Sequence, residues 1–145
     1  MYIPTYFSID EYVCPHVYNK YGLDAWTFFD VKLLITMDWI REHLGKPVYM
    51  NDWMIHGKYS QRGFRCIQCS LVRKAIREKI LYVSAHMTGQ AGDFNVPGME
   101  SEEVRQWMKT HEVELPYPIR LEEDTSWVHI DTRDAGKGKI YFFKP

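Results

Sequence analysis

The sequence predicts an α+β fold, a small antiparallel sheet flanked by helices. Three observations carry that prediction. Residues 31–44 repeat apolar side chains at helical spacing. Short β-prone segments crowd the C-terminal half, around 91–96, 120–122, 127–132 and 139–143. The chain of 145 residues is long enough for one core and too short for two ordinary ones, so residues 1–145 read as a single domain.

Residues 1–30 are rich in Tyr, Phe and turn formers and read as an irregular arm wrapped on the core. Ser8 can cap a short helical turn, which Pro15 interrupts and Gly22 bends. The clearest helix follows. Asp30 is its N-cap, and Leu33, Leu34, Met37, Ile40 and Leu44 share one face. Asp38, Arg41 and Glu42 fall mostly on the other. Gly45 closes the helix in the left-handed conformation and Pro47 stops it. Pro47–Asn51 alternates like a strand. A loop over 52–65 carries Gly57, Gly63, Lys58, Arg62 and Arg65. Leu71, Val72, Ala75, Ile76 and Ile80 suggest a second helix within 67–80, with Arg73, Lys74, Arg77 and Lys79 on its polar face. Leu81–Ser84 is β-prone. Ala91–Val96 reads as the next strand, ended by Pro97-Gly98. Ser101 then caps a helix whose first turn holds Glu102 and Glu103 and whose apolar face is Val104, Trp107 and Met108.

Composition narrows the classes of function. Net charge is −1, which removes a global electrostatic case for nucleic acid. No apolar run approaches membrane-spanning length, so membrane insertion is not expected. The first residues have no basic start followed by an apolar stretch. The expectation is a protein that is cytoplasmic as made, able to act on a cell wall after release. Three cysteines, an odd count, fit reduced thiols better than a disulfide framework.

The chemistry concentrates in two stretches. Ser84-Ala85-His86-Met87-Thr88-Gly89-Gln90-Ala91-Gly92-Asp93-Phe94 sets an imidazole and a carboxylate seven positions apart. On a helix that separation is about 10 Å of rise, too far for both to reach one ion about 2 Å from each. A strand, a tight turn and a returning strand would bring them together, and Gly89 and Gly92 supply the freedom such a turn needs. Downstream, Trp127, His129, Asp131 and Arg133 share one face of a strand, while Val128 and Ile130 point to the core. Two histidines and an aspartate can serve as ligands of a catalytic zinc site with its fourth position open. Asp131 can orient an imidazole or an arginine from behind.

Together, Ser84-x-His86-x-x-Gly89-x-Ala91-x-Asp93-Phe94 and Trp127-Val128-His129-Ile130-Asp131-x-Arg133 resemble the zinc D-alanyl-D-alanine carboxypeptidases. Those enzymes cleave peptides of bacterial peptidoglycan and share a fold with the hedgehog signalling domain. The variety most resembled is the short, single-domain form of phages and prophages. The resemblance implies a hedgehog/DD-peptidase-like fold and one Zn2+ held by His86, Asp93 and His129, with Ser84 and Asp131 in support. It implies hydrolysis of stem peptides, as carboxypeptidase or endolysin-type endopeptidase, by a protein expected to be a monomer. Arg65, or else Arg62, matches the family arginine that holds substrate or stabilises an oxyanion.

One position departs from the pattern. Many members carry Glu or Asp three residues before the second histidine, as general base; here it is Ser126. A serine takes up no proton at neutral pH. Glu122, Glu123 and Asp124 lie just upstream, and Asp124, the nearest, is the expected substitute. If no carboxylate reaches the site, the alternative is a non-catalytic wall-binding or phage structural module on the same fold. A third option is an intracellular structural protein stabilised by zinc on its cysteines. Cys66-x-x-Cys69 resembles half of a structural zinc site or a redox pair, and Cys14-Pro15-His16 offers a poor second pair. The preferred reading of these cysteines is small buried residues at the start of a helix. Trp53, Tyr59 and Phe64 can line a substrate groove or belong to the core.

Overall fold

The computed structural model describes residues 1–134, 136 and 138–144. The fold is α+β. In chain order it has α1 (Ile9–Tyr12), α2 (Pro15–Tyr21), α3 (Val31–Leu44), α4 (Ser70–Arg77), β1 (Ala91–Phe94), α5 (Ser101–Thr110), β2 (Ile119–Glu122), β3 (Val128–Asp131) and β4 (Ile140–Phe143). Single 3-10 segments occupy Gly22–Phe28, Trp53–Ile55, Ala85–Thr88 and Glu112–Glu114.

The four strands lie in the order β1-β3-β2-β4. β1 and β2 each pair antiparallel with β3, but β4 runs parallel to β2. The expected all-antiparallel sheet is therefore corrected to a mixed one. No helix of the described residues is long and apolar enough to cross a membrane.

α3 begins and ends as its sequence dictates. The Asp30 carboxylate accepts from the Lys32 N–H at 3.0 Å, and Gly45 adopts φ 62°. Its face of Leu33, Leu34, Met37 and Ile40 is buried in one cluster with Phe94, Leu121, Val128 and Ile130 from the underside of the sheet. Gly92 belongs to that contact, since a Cβ there would press on the Met50 methyl. Trp39 of α3 and Trp107 of α5 meet at 5.7 Å between ring centres.

Asp38 is a correction. It is buried, and its carboxylate accepts from Tyr2 Oη at 2.7 Å and from the Thr5 N–H at 2.6 Å. A polar residue at the edge of the apolar face thus anchors the N-terminal residues instead of facing water. The arm itself is more regular than expected, with α1, α2 and the 22–28 segment packing Tyr12, Trp26 and Phe29 edge to face. Burying large rings offsets the short length of each helix.

Other boundaries shift for local reasons. The second helix covers only Ser70–Arg77, because Cys66–Cys69 forms a turn before it and Lys79 takes φ 55° after it. Residues 47–51 form no strand; Tyr49 makes one antiparallel bridge to Asn95. Leu81–Ser84 is not paired either. Ser101 is the first residue of α5 and Glu100 is its cap, with the Glu100 N–H donating to the Glu103 carboxylate at 2.6 Å.

Candidate metal centre

The sheet register lays out the site. Asp93 on β1 pairs with His129 on β3, and Ala91 with Asp131. Arg120 and Leu121 on β2 pair with Asp131 and Ile130, so one further step along the same antiparallel register brings Glu122 beside His129. Glu122 in turn pairs with Phe143 on β4. Strand parity then sends Asp93, His129, Glu122 and Phe143 out of the same face. These residues line one cleft of about 280 Å³, together with Arg65, Ser84, His86, Trp127 and Arg133.

His86 arrives by a different route from the one expected. It lies in the 3-10 segment Ala85–Thr88, not on a strand, and Ser84 Oγ accepts from its backbone N–H at 3.3 Å. The chain reverses at Gly89, which has φ 69° and whose missing Cβ makes room for the Phe28 carbonyl. Gly92 lies inside β1 and plays no part in the reversal.

Three ligand atoms converge. His86 Nε2 is 3.3 Å from Asp93 Oδ2, and His129 Nδ1 is 2.6 Å from Asp93 Oδ1. One ligand atom from each residue lies within 4.8 Å of the other two. The far side of each imidazole is occupied. His86 Nδ1 meets the Gly63 carbonyl at 2.8 Å and so donates to it, which leaves Nε2 as a lone pair aimed at Asp93. His129 Nε2 meets Asp131 Oδ2 at 3.4 Å, which aims Nδ1 at Asp93. Nitrogen lone pairs facing a carboxylate repel unless a proton or a cation lies between them. That donor set fits a cation. Tetrahedral ligands about 2.0–2.1 Å from zinc stand about 3.3 Å apart, as His86 and Asp93 already do; the His129–Asp93 contact has to open by roughly 0.7 Å.

Ionisation agrees with this arrangement. Burial lowers the His86 pKa, only partly opposed by Asp93, so this ring is neutral. Burial also works against charge on His129, but hydrogen bonds to Asp131 and Asp93 outweigh it and push the ring up to about 9. Burial would raise Asp93, yet its bonds to His129 and His86 hold it well below the usual carboxylate range.

Behind the ligands, Asp131 is fully buried. It takes a two-pronged contact from Arg120, Nε and Nη2 each at 2.8 Å, and a further bond from Arg133 Nη2 at 3.1 Å. Arg65 donates from Nη2 to Asp93 at 2.8 Å, from Nη1 to Tyr82 Oη at 2.8 Å and from Nε to the Gln61 carbonyl at 2.6 Å. Arg62 lies outside this cleft; it stacks on Tyr59 and donates to Asn95 Oδ1 at 2.7 Å.

Asp124 does not reach the site. It follows β2 in a left-handed turn with φ 60°, pairs with Lys144 at 3.0 Å and lines a separate depression beside α5. Glu122 is the carboxylate of the acidic run that faces the cleft, because the strand continues through it and parity fixes its side. Ser126 lines a neighbouring groove of about 770 Å³ with Tyr49, Tyr59, Arg62 and Trp127. Of the three loop aromatics, Tyr59 lines this groove. Trp53 donates to the Val13 carbonyl at 2.9 Å, and Phe64 packs on Phe28 and Phe29.

Sequence reasoning missed Arg105. This buried side chain of α5 donates to the carbonyls of Glu122 at 2.8 Å, Thr125 at 2.7 Å and Trp127 at 2.7 Å. It pins the β2–β3 connection that presents Glu122 and Trp127. One polar residue among Val104, Trp107 and Met108 was its signal, and its partners, backbone carbonyls, carry none.

Two histidines and an aspartate on the floor of an open cleft form a group that can hold a catalytic metal ion. The family model described as Peptidase M15 matches residues 5–131, and the chain belongs to that family of zinc peptidases. No match is found among curated proteins or solved structures.

Proposed function

We propose that this protein hydrolyses peptide bonds in bacterial peptidoglycan stem peptides, with His86, Asp93 and His129 as zinc ligands. The observation that carries the reading is the aim of His86 Nε2 and His129 Nδ1 at the Asp93 carboxylate, at the floor of an open cleft. A zinc ion held there would lower the pKa of a water to near 7 and polarise a carbonyl. Glu122 is the general base: it accepts the proton of the attacking water and returns it to the leaving amine. Arg65 holds Asp93 in place and keeps N–H donors free for an oxyanion or a substrate carboxylate. Asp131 fixes the tautomer of His129, and Ser84 fixes the turn that presents His86. The groove past Trp127 and Tyr59 offers apolar faces to an extended peptide.

Zinc-loaded protein should release D-alanine or new amino groups from purified stem peptides, His86→Ala should not, and Glu122→Gln should do so far more slowly. Wall binding with no turnover on any stem peptide would favour the non-catalytic module, the reading that Ser126 motivates.

A further inference from the structure

A second set of metal-type ligands meets away from the His86–Asp93–His129 centre. Cys14, His16, Cys66 and Cys69 bring one ligand atom each within 4.8 Å of all the others. Cys66 Sγ is 3.6 Å from Cys14 Sγ, 3.8 Å from Cys69 Sγ and 3.8 Å from His16 Nδ1. A disulfide would join two sulfurs at about 2.0 Å. A tetrahedral zinc ion about 2.3 Å from each sulfur holds them about 3.8 Å apart. The spacing is that of a coordination shell. His16 sharpens the point: the residue is exposed, yet its ring nitrogen Nδ1 turns toward Cys66 Sγ.

We infer that Cys14, His16, Cys66 and Cys69 bind a structural zinc ion. The inference stands apart from the catalytic reading and uses none of its residues. Two short ligand pairs, one on each of two segments, form the site. The first pair opens α2; the second spans a turn closed by the Cys69 N–H on the Cys66 carbonyl at 3.0 Å. Cys14 and Cys69 stand immediately before the first turns of α2 and α4. On binding, the three thiols release their protons to solvent. The filled site, Zn2+ with three thiolates and a neutral imidazole, carries one negative charge. Arg73 and Arg77 line the same depression and complement it. Four protein ligands leave no open position, so the ion is structural.

Its work is to clamp. It ties the N-terminal arm to the turn that directly follows Gly63-Phe64-Arg65. That tripeptide already holds His86 through the Gly63 carbonyl and donates the Phe64 N–H to Tyr12 at 2.7 Å. The ion fixes from one side the segment that the catalytic centre uses from the other.

The test is zinc content and zinc K-edge X-ray absorption on the full chain purified under reducing conditions. Wild type should hold about two zinc per chain. His86→Ala should keep about one, with a shell of sulfurs at about 2.3 Å. The double variant Cys66→Ser, Cys69→Ser should keep about one with nitrogen and oxygen neighbours only. If that variant does not fold, His16→Ala, an exposed change, should lose its sulfur-bound zinc to a chelator faster than wild type. A sulfur shell in wild type that His86→Ala leaves untouched, with no other zinc, would support this site and fail the catalytic one. Absence of sulfur neighbours in His86→Ala, or a disulfide in native protein found by mass spectrometry, would overturn the inference.

Discussion

Asp131→Asn separates support of the metal from mere packing. Asp131 is fully buried and accepts from Arg120 twice at 2.8 Å, from the Arg133 N–H at 3.1 Å and from His129 Nε2 at 3.4 Å. Asparagine keeps the shape and removes the charge, and its NH2 faces a guanidinium. Breaking a fully buried pair costs about 3–5 kcal/mol. Here the Arg120 and Arg133 side chains are 21% and 37% exposed and can turn to water. The expected loss of stability is therefore nearer 2 kcal/mol. Burial would raise the Asp131 carboxyl, but bonds from His129, Arg120 and Arg133 hold it below the ordinary range. A depressed pKa contributes stability above the unfolded value of about 3.9 and loses it as pH falls through the folded one. The gap between wild type and variant should accordingly narrow in acid. Loss of the carboxylate behind His129 should also weaken zinc binding about 10- to 100-fold. The assays are urea unfolding of metal-free protein and competition for zinc against a chromogenic chelator. A variant that loses stability yet binds zinc at this centre as tightly as wild type would refute the role given to Asp131.

Three further outcomes are expected. Zinc at the catalytic centre must displace the proton that His129 holds below about pH 9, so apparent affinity should rise about tenfold per unit between pH 7 and 8.5; a flat profile counts against His129 as ligand. Arg105→Met removes bonds to three backbone carbonyls and should cost about 3 kcal/mol in chemical denaturation, with a fall in kcat from the loosened Glu122; unchanged stability would contradict that anchoring. Glu122→Gln should lower kcat about 10²–10⁴-fold with zinc retained, whereas Asp124→Asn should leave it near wild type; the reverse order would restore Asp124 as the base.

Much of the site was legible because strands translate sequence parity into direction. His129 lines the cleft with Asp131 buried behind it on the same side of the strand, and Val128 and Ile130 face the core, as alternation requires. The same parity puts Glu122 on the cleft side, and Asp124, of equal parity, is excluded only once β2 is known to end at Glu122 and the chain to turn at Asp124. The route of His86 was not legible. A 3-10 turn and a β-turn use similar residues, and Gly89 signals either. The parallel pairing of β4 was hidden for a related reason: its alternation fits either direction beside β2. Asp38 and Arg105 were invisible as anchors, since their partners are backbone groups or residues of the distant arm. The cysteines showed the opposite limit. Two weak pairs 52 residues apart carry little weight until folding brings Cys14 to Cys66.

The central claim, a zinc ion on His86, Asp93 and His129, is tested most directly by crystallography across the zinc absorption edge. The account predicts an anomalous peak about 2.0–2.1 Å from His86 Nε2, His129 Nδ1 and an Asp93 oxygen. Zinc-supplied crystals with no peak between those three atoms would contradict it.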